Sequence, residues 1–266
     1  MPMPLPSTHK KRFLAGIGAG LFVALSIHAL TPLHAKVNHP KLLYWHGDVK
    51  EKKVALTFDD GPNEPYTSEI LKILKDNNIL ATFFLMGENV ETYPEAARAI
   101  VAAGHTIGNH SYDHRDLLSR TNVQVRTEIL KTEKIIQDTT GVKTTLFRPP
   151  YGDKDALTVQ QTRKLGYVMV EWSVSAEDWR KPGPRAIVHH VMKNVRNGGI
   201  ILMHDGDKWR HGSDRSQTVQ ALPIIIAQLR QQGYEFVTIP ELLKLDIAGP
   251  VQTAKAISPT DSPEKL

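Results

Sequence analysis

Seven ionisable side chains stand at or near the ends of short apolar runs in this 266-residue chain. They comprise a carboxylate pair, two imidazoles four residues apart, an arginine, and a separate carboxylate and imidazole: Asp59, Asp60, His110, His114, Arg148, Asp178 and His204. Carboxylates and imidazoles bind divalent metals and transfer protons in catalysis. Because the chain has no cysteine, a metal site in it would be built from His, Asp or Glu.

The adjacent carboxylates Asp59 and Asp60 follow an apolar run and precede Gly61 and Pro62. Taken alone, the pair is about equally consistent with a turn capped by Asp side chains and with a catalytic site. Adjacent residues of a strand point to opposite faces, which predicts different partners for the two carboxylates. That arrangement suits one metal ligand and one general base.

The spacing of His110 and His114 would place both imidazoles on one face of a helical turn, where they could hold a single metal ion. Two solvated loop histidines are the simpler alternative. With Asp60 from a neighbouring strand, the set becomes two imidazoles and one carboxylate. Three protein ligands leave a coordination position open for water or substrate, as catalytic metal sites require.

Apolar or β-branched runs alternate with amphipathic stretches and predict seven strands, at 54–58, 82–86, 106–107, 144–147, 167–172, 199–203 and 235–239. The intervening stretches, such as 69–75 and 219–232, have helical periodicity. Strands separated by helices predict a parallel α/β fold. A seven-stranded (β/α) barrel would gather the polar strand ends on one rim, whereas an open sheet would spread them along a line.

Five motifs occur in order over about residues 51–245: Thr57-Phe58-Asp59-Asp60-Gly61, His110-Ser111-x-x-His114, Arg148-Pro149-Pro150-Tyr151-Gly152, Asp178-Trp179 and Leu202-x-His204. In this order they resemble the NodB-type polysaccharide deacetylases, carbohydrate esterase family four. The resemblance implies a distorted (β/α)7 barrel over residues 51–246. It also implies a metal-dependent hydrolase that removes N-acetyl groups from the N-acetylglucosamine residues of a polysaccharide.

The resemblance assigns the metal and the general base. Asp60, His110 and His114 would bind a divalent metal, usually zinc, with cobalt and nickel as alternatives. The metal would polarise the acetyl carbonyl and lower the pKa of its water toward about 7. Asp59 would be the general base, and Arg148 would pair with it and keep it ionised.

The resemblance assigns the acid and the substrate contacts as well. His204 would protonate the departing amine, and Asp178 would orient His204 and raise its pKa. The backbone N–H of Tyr151 would help to stabilise the oxyanion. Trp179 and Leu202 would wall the pocket for the acetyl methyl group.

One position departs from the family pattern. Many members have an Asp three residues before the Asp of the Asp-Trp pair, where this chain has Ser175. The intact pair preserves the assignment of Asp178, so the open question is what supports the loop around it. Glu177 offers a substitute carboxylate, although we do not expect it to serve as one.

The expected partner is an N-acetylated glycan, with peptidoglycan as the first choice. Chitooligosaccharides and poly-N-acetylglucosamine are alternatives, and O-deacetylation of acetylated xylan would use the same chemistry on an ester. A non-catalytic glycan-binding module is the alternative outside enzymes. Such a module would be expected to lack the base, a metal ligand or the acid, all of which this chain has.

The ends of the chain differ in composition from its centre. Residues 1–35 combine a basic start, an apolar run and small residues, typical of an export signal, with an N-terminal membrane anchor as the alternative. This predicts a periplasmic, envelope or extracellular protein, which we expect to be monomeric. Residues 36–50 would be an extended lead-in and 247–266 a disordered tail.

Charge gives no support for a nucleic-acid partner. Removal of the three basic residues in 1–35 lowers the net charge from +5 to +2. So small an excess, with no basic motif, does not indicate nucleic-acid binding. Of the histidines outside the motifs, His105 at the start of a predicted strand is expected to pack in the core.

Overall fold

The computed structural model describes residues 43–207 and 211–246. The predicted export segment 1–35, residues 36–42 of the predicted lead-in and the predicted tail 247–266 lie outside these ranges. Among the described residues, no helix combines the length and the hydropathy needed to cross a membrane.

Strands and helices alternate through the described residues, as the sequence predicts. The strands are β1 Leu43–Tyr44, β2 Lys53–Gly61, β3 Thr82–Leu85, β4 Thr106–Asn109, β5 Leu146–Phe147, β6 Val168–Val170, β7 Val174–Ser175, β8 Gly199–His204 and β9 Glu235–Phe236. The helices are α1 Tyr66–Asp76, α2 Gly87–Thr92, α3 Pro94–Ala102, α4 Asn122–Thr140, α5 Ala156–Lys164, α6 Pro184–Asn194, α7 Ser216–Gln231 and α8 Ile239–Leu243. Two 3-10 turns, Pro150–Gly152 and Asp178–Arg180, follow β5 and β7.

The strands form one sheet in the order β1-β6-β5-β4-β3-β2-β8-β7, with β9 beside the start of β2. Every pairing of these strands is parallel. The sheet curls into a half-barrel covered by helices, which confirms the predicted α/β fold of the deacetylase type. Within the described residues, no ladder joins β1 to β7, the two ends of this order.

The central strand β2 has a different layer on each face. Val54, Leu56 and Phe58 belong to a large apolar cluster that includes side chains of α1, α6 and α7. Each such fully buried side chain contributes about 1.5–3 kcal/mol to stability. Ala55 belongs to a second cluster with residues of β6, β8 and α8. Period-two alternation then places Asp59 on the same face as Ala55, at the carboxyl end of the strand.

Strand register brings two of the predicted site residues together. β2 and β8 pair in register so that Asp59 lies opposite His204. His105 packs in the core, as predicted, and accepts the N–H of Ala81 at its Nδ1 atom over 3.1 Å. Burial lowers the pKa of His105 to about 4, so this histidine is neutral at physiological pH.

Candidate active site

A cavity of about 490 Å³ opens at the carboxyl ends of the strands. Eight of the ten predicted site residues line it: Asp59, Asp60, His110, His114, Tyr151, Trp179, Leu202 and His204. The other two lie behind it. Arg148 is bonded to Asp59, and Asp178 is bonded to His204.

The Asp59-Asp60 pair does not follow regular strand geometry. Asp60 has a φ of 68°, and the register of β2 with β3 shifts between Asp59 and Gly61. Both carboxylates therefore face the cavity: Asp59 Oδ2 lies 3.7 Å and Asp60 Oδ1 3.3 Å from Nε2 of His110. The prediction that they point to opposite faces is wrong, although their main partners do differ.

Asp60 is held in this left-handed conformation by its neighbours. The side-chain amide of Asn89 donates to the carbonyl oxygen of Asp60 over 2.6 Å. Gly206 passes so close that a Cβ atom there would lie 1.7 Å from the same oxygen. The Asp60 turn is thus fixed from two sides by groups far away in the sequence.

The segment that carries His110 and His114 is a loop, so the predicted helical turn is wrong. Ser111 and His114 have φ values of 65° and 56°, which no right-handed helix contains. The loop nevertheless brings the imidazoles together, with ring centres 4.9 Å apart. Nε2 of each lies 3.3 Å from Oδ1 of Asp60.

The donor atoms of Asp60, His110 and His114 fit a metal ion. All lie within 4.8 Å of one another, and the three side chains are buried. Nδ1 of His110 lies 2.7 Å from the carbonyl oxygen of Arg148, so a neutral His110 donates from Nδ1 and directs its Nε2 lone pair at Asp60. Asp60 Oδ1 accepts no hydrogen bond from the described residues. A nitrogen lone pair and a carboxylate oxygen repel each other at this distance, and a cation between them would remove the repulsion.

Electrostatics favour the ionised form of Asp60. Burial opposes ionisation, but the positive charge of His114 when protonated and a hydrogen bond that His110 donates in its protonated form outweigh it and lower the pKa of Asp60 far below its ordinary value. A charged carboxylate among imidazole nitrogens is the state that binds metal.

Arg148 is fully buried, and its guanidinium holds Asp59 and three neighbouring oxygens. Nη1 donates to Asp59 Oδ1 over 2.7 Å and to Thr57 Oγ1 over 2.9 Å. Nε and Nη2 donate to the carbonyl oxygens of Val170 and Glu171, each over 3.0 Å. Since one oxygen of Asp59 is engaged this way, Oδ2 is the oxygen left toward the cavity.

His204, on the neighbouring strand β8, is paired with Asp178. Nδ1 of His204 lies 2.8 Å from Asp178 Oδ1, and Asp178 Oδ2 accepts the backbone N–H of His204 and the hydroxyl of Thr218, each over 2.8 Å. Burial alone would lower the pKa of His204, but the Asp178 charge outweighs it and the pKa rises to about 9. His204 is therefore protonated at neutral pH.

The remaining predicted residues form the rim and the floor. Tyr151 has a φ of 62° in the Pro150–Gly152 turn, and its ring lies edge-on to His114 at 4.5 Å. Trp179 is half exposed, beside the guanidinium of Arg180. Leu202 is buried at the cavity, two residues before His204 and therefore on the same face of β8.

Ser175 supports the loop that carries Asp178. Its hydroxyl accepts the N–H of Glu177 over 3.2 Å. Glu177 pairs with Arg180 over 2.9 Å, so its carboxylate is already engaged. Support for Asp178 itself comes from Thr218 on α7.

Sequence reasoning missed three supporting residues. Thr57, which binds Arg148, stands two residues before Asp59 on the same face of β2, so strand alternation could have found it. Asn89, which binds Asp60, and Thr218, which binds Asp178, lie on helices remote from the motifs. No local signal in the sequence distinguishes these two.

Comparison with known proteins agrees with this geometry. A family model described as polysaccharide deacetylase matches residues 46–170. A peptidoglycan-N-acetylglucosamine deacetylase of Bacillus cereus is 39% identical over 202 residues, which cover 75% of this chain and 92% of that protein. This chain belongs to the polysaccharide deacetylase family. The predicted NodB-type resemblance, and with it a metal-dependent hydrolase of amide bonds, is confirmed.

Two further members show the same relationship. A chitooligosaccharide deacetylase of a Bradyrhizobium species is 36% identical over 207 residues, covering 74% of this chain and 94% of that protein. The crystal structure of the Bc1960 peptidoglycan N-acetylglucosamine deacetylase superposes with a TM-score of 0.71 at 35% identity, covering 77% of this chain and 94% of that one. This deacetylase therefore shares the family fold over most of the length of both relatives.

Proposed function

We propose that this deacetylase removes N-acetyl groups from the N-acetylglucosamine residues of peptidoglycan, with zinc held by Asp60, His110 and His114. The observation that carries the proposal is the complete set of roles around one cavity. Metal donors, a carboxylate paired with arginine and an imidazole paired with Asp178 all converge there. The similarity to a peptidoglycan deacetylase supports the choice of polymer.

The chain's own groups divide the proton transfers between Asp59 on β2 and His204 on β8. When bound, a divalent metal polarises the acetyl carbonyl and lowers the pKa of water. Asp59 accepts a proton from the attacking water through Oδ2, while Arg148 holds Oδ1. His204 donates a proton to the departing sugar nitrogen as the amide C–N bond breaks, giving acetate and a free amine.

Four further residues stabilise or orient the reacting groups. The backbone N–H of Tyr151 donates to the developing oxyanion, and preorganised donors of this kind are a major source of rate enhancement. Leu202 and Trp179 enclose the acetyl methyl group. Asp178 keeps His204 oriented and charged through the contact between Asp178 Oδ1 and His204 Nδ1.

Zinc is the proposed metal because two imidazole nitrogens and one carboxylate oxygen are donors that zinc accepts in catalytic sites. The same donors accept cobalt and nickel, so the metal is to be decided by measurement. Metal analysis of purified protein, followed by chelation and return of each metal, should restore acetate release best with zinc. Best recovery with cobalt or nickel would contradict the zinc assignment.

The polymer is tested by mass spectrometry and acetate release after incubation of zinc-loaded protein with candidate substrates. We expect release from peptidoglycan, with Asp59→Asn lowering the rate on the order of 10²–10⁴-fold. An Asp59→Asn variant as active as wild type would refute the assignment of Asp59 as the general base. Release only from acetylated xylan would indicate an O-deacetylase, and no release from any glycan would indicate a binding module.

A chitooligosaccharide deacetylase is the second candidate, favoured by the similarity to the Bradyrhizobium enzyme. Side-by-side kinetics on chitooligosaccharides and peptidoglycan fragments separate the two. A higher kcat/KM on the free oligosaccharides would favour the second candidate.

We also infer an exported, monomeric protein in the periplasm, the envelope or the medium. The composition of residues 1–35 and the extracytoplasmic position of peptidoglycan support this location. An N-terminal membrane anchor is the alternative to cleavage. Cell fractionation with N-terminal sequencing tests both, and light scattering tests the monomer.

A further inference from the structure

The loop His110–His114 has no helix or strand, so separate contacts hold its backbone. The carbonyl oxygen of Ser111 accepts the N–H of Gly87 over 3.0 Å, and that of Tyr112 accepts the N–H of Glu88 over 2.9 Å. These bonds attach the middle of the loop to the first turn of α2. They leave the half of the loop that carries His114 to be held by other groups.

A buried carboxylate on α4 supplies that second attachment. Glu128 is only 7% exposed, and its Oε2 atom accepts the N–H of Tyr112 over 3.1 Å. Its Oε1 atom lies 3.3 Å from Nε of Arg115. Since Tyr112 precedes His114 and Arg115 follows it, one side chain binds the loop on both sides of the imidazole.

The backbone conformation of His114 needs this attachment to Glu128. His114 has a φ of 56°, in the left-handed region that residues other than glycine adopt reluctantly. A loop released from Glu128 would relax toward ordinary backbone angles and carry the imidazole with it. Nε2 of His114 would then leave its place 3.3 Å from Asp60 Oδ1.

We propose that Glu128 is a positioning residue for the metal centre, which fixes His114 at the separation from His110 and Asp60 that lets all three donors share one cation. It does so through the hydrogen bond from the backbone N–H of Tyr112 and the ion pair with the side chain of Arg115, and it touches neither metal nor substrate. The inference rests on the proposed metal site. Supporting groups of metal ligands typically change metal affinity by about 10–100-fold when removed.

The test is the Kd for Zn²⁺ of the full chain, measured by competition with a chromophoric chelator, with no glycan present. Glu128→Ala should weaken zinc binding on the order of tenfold or more, with an unchanged far-ultraviolet circular dichroism spectrum. Glu128→Gln keeps an oxygen that can accept the Tyr112 N–H and should retain most of the affinity. Asp138→Ala, an exposed carboxylate of the same helix paired with Lys134, is the matched control and should bind as wild type.

Zinc binding by Glu128→Ala equal to wild type would overturn the proposal, as would equal losses in the Ala and Gln variants. If Glu128→Ala does not fold, Arg115→Ala decides, because that side chain is 52% exposed. We expect its affinity to fall by about two- to fivefold, and an unchanged value would overturn the proposal. A wild-type protein that binds no zinc would instead refute the proposed metal centre itself.

Discussion

The pairing of Asp178 with His204 makes a pH prediction that can be worked through from the structure. The carboxylate, 2.8 Å from Nδ1, is the main cause that raises the pKa of His204 to about 9 against the opposing effect of burial. His204 acts as an acid only when protonated, so activity falls as pH rises through this pKa. Asp178→Asn keeps the shape of the side chain and removes its charge. The effect of burial, which lowers the pKa of His204, is then less opposed.

The size of the change follows from the same contact. A neighbouring opposite charge shifts a pKa by about 1–3 units, so the alkaline limb of the variant should move down by that amount. With a shift of about two units, roughly nine-tenths of wild-type His204 but only about a tenth of the variant is protonated at pH 8, which predicts a tenfold gap in rate. The charges of Asp60 and Asp59, which also raise the pKa of His204, are common to both proteins, so the displacement between the two limbs isolates Asp178.

The assay is the pH dependence of kcat/KM for acetate release, which reports the pKa values of the free enzyme. Glu177→Gln is the matched control, because this carboxylate lies in the same loop but pairs with Arg180. Its limb should coincide with that of wild type. An alkaline limb of Asp178→Asn that stays in place or moves to higher pH would refute the reasoning.

Two predictions concern the groups behind the cavity. Arg148→Ala leaves the buried Asp59 carboxylate without its counter-charge and should lower the free energy of unfolding by about 3–5 kcal/mol in urea titration; a loss below about 1 kcal/mol would contradict the importance of this pair. Gly206→Ala places a Cβ atom 1.7 Å from the carbonyl oxygen of Asp60, so it should displace Asp60 and weaken zinc binding at the proposed site. Gly141→Ala, with no atom within 4 Å of its Cβ, should affect stability alone. Equal zinc affinity in the two glycine variants would contradict this expectation, because it would show that the turn at Asp60 accommodates the added Cβ atom.

Long apolar runs made most of the fold predictable. The run at 54–58 became the core of β2, and the run at 199–203 became β8. The strands β1 and β7 were not predicted. Both are defined by pairing with longer neighbours, β6 and β8, which is a property of the folded sheet.

Motif order predicted which side chains meet, because parallel strands deliver their carboxyl ends to one rim. Asp59 and His204 meet through strand register, which places them opposite each other. The supporting contacts were beyond such reasoning. Asn89 and Glu128 reach the site from helices, and nothing in their local sequence distinguishes them from surface residues of an amphipathic helix.

The two local errors, opposite faces for Asp59 and Asp60 and a helical turn at His110–His114, have one physical cause. Each applied a regular period to a segment that contains a left-handed residue other than glycine: Asp60 with φ 68°, and Ser111 and His114 with φ 65° and 56°. Such a conformation costs on the order of 1 kcal/mol per residue and persists only where the surroundings impose it. Here the carbonyl of Asp60 is held by Asn89 and the loop around His114 by Glu128. Asp60 and His114, two of the proposed metal donors, are therefore among the residues that local rules misplace, and their geometry is set by tertiary contacts that stabilise a backbone the local sequence disfavours.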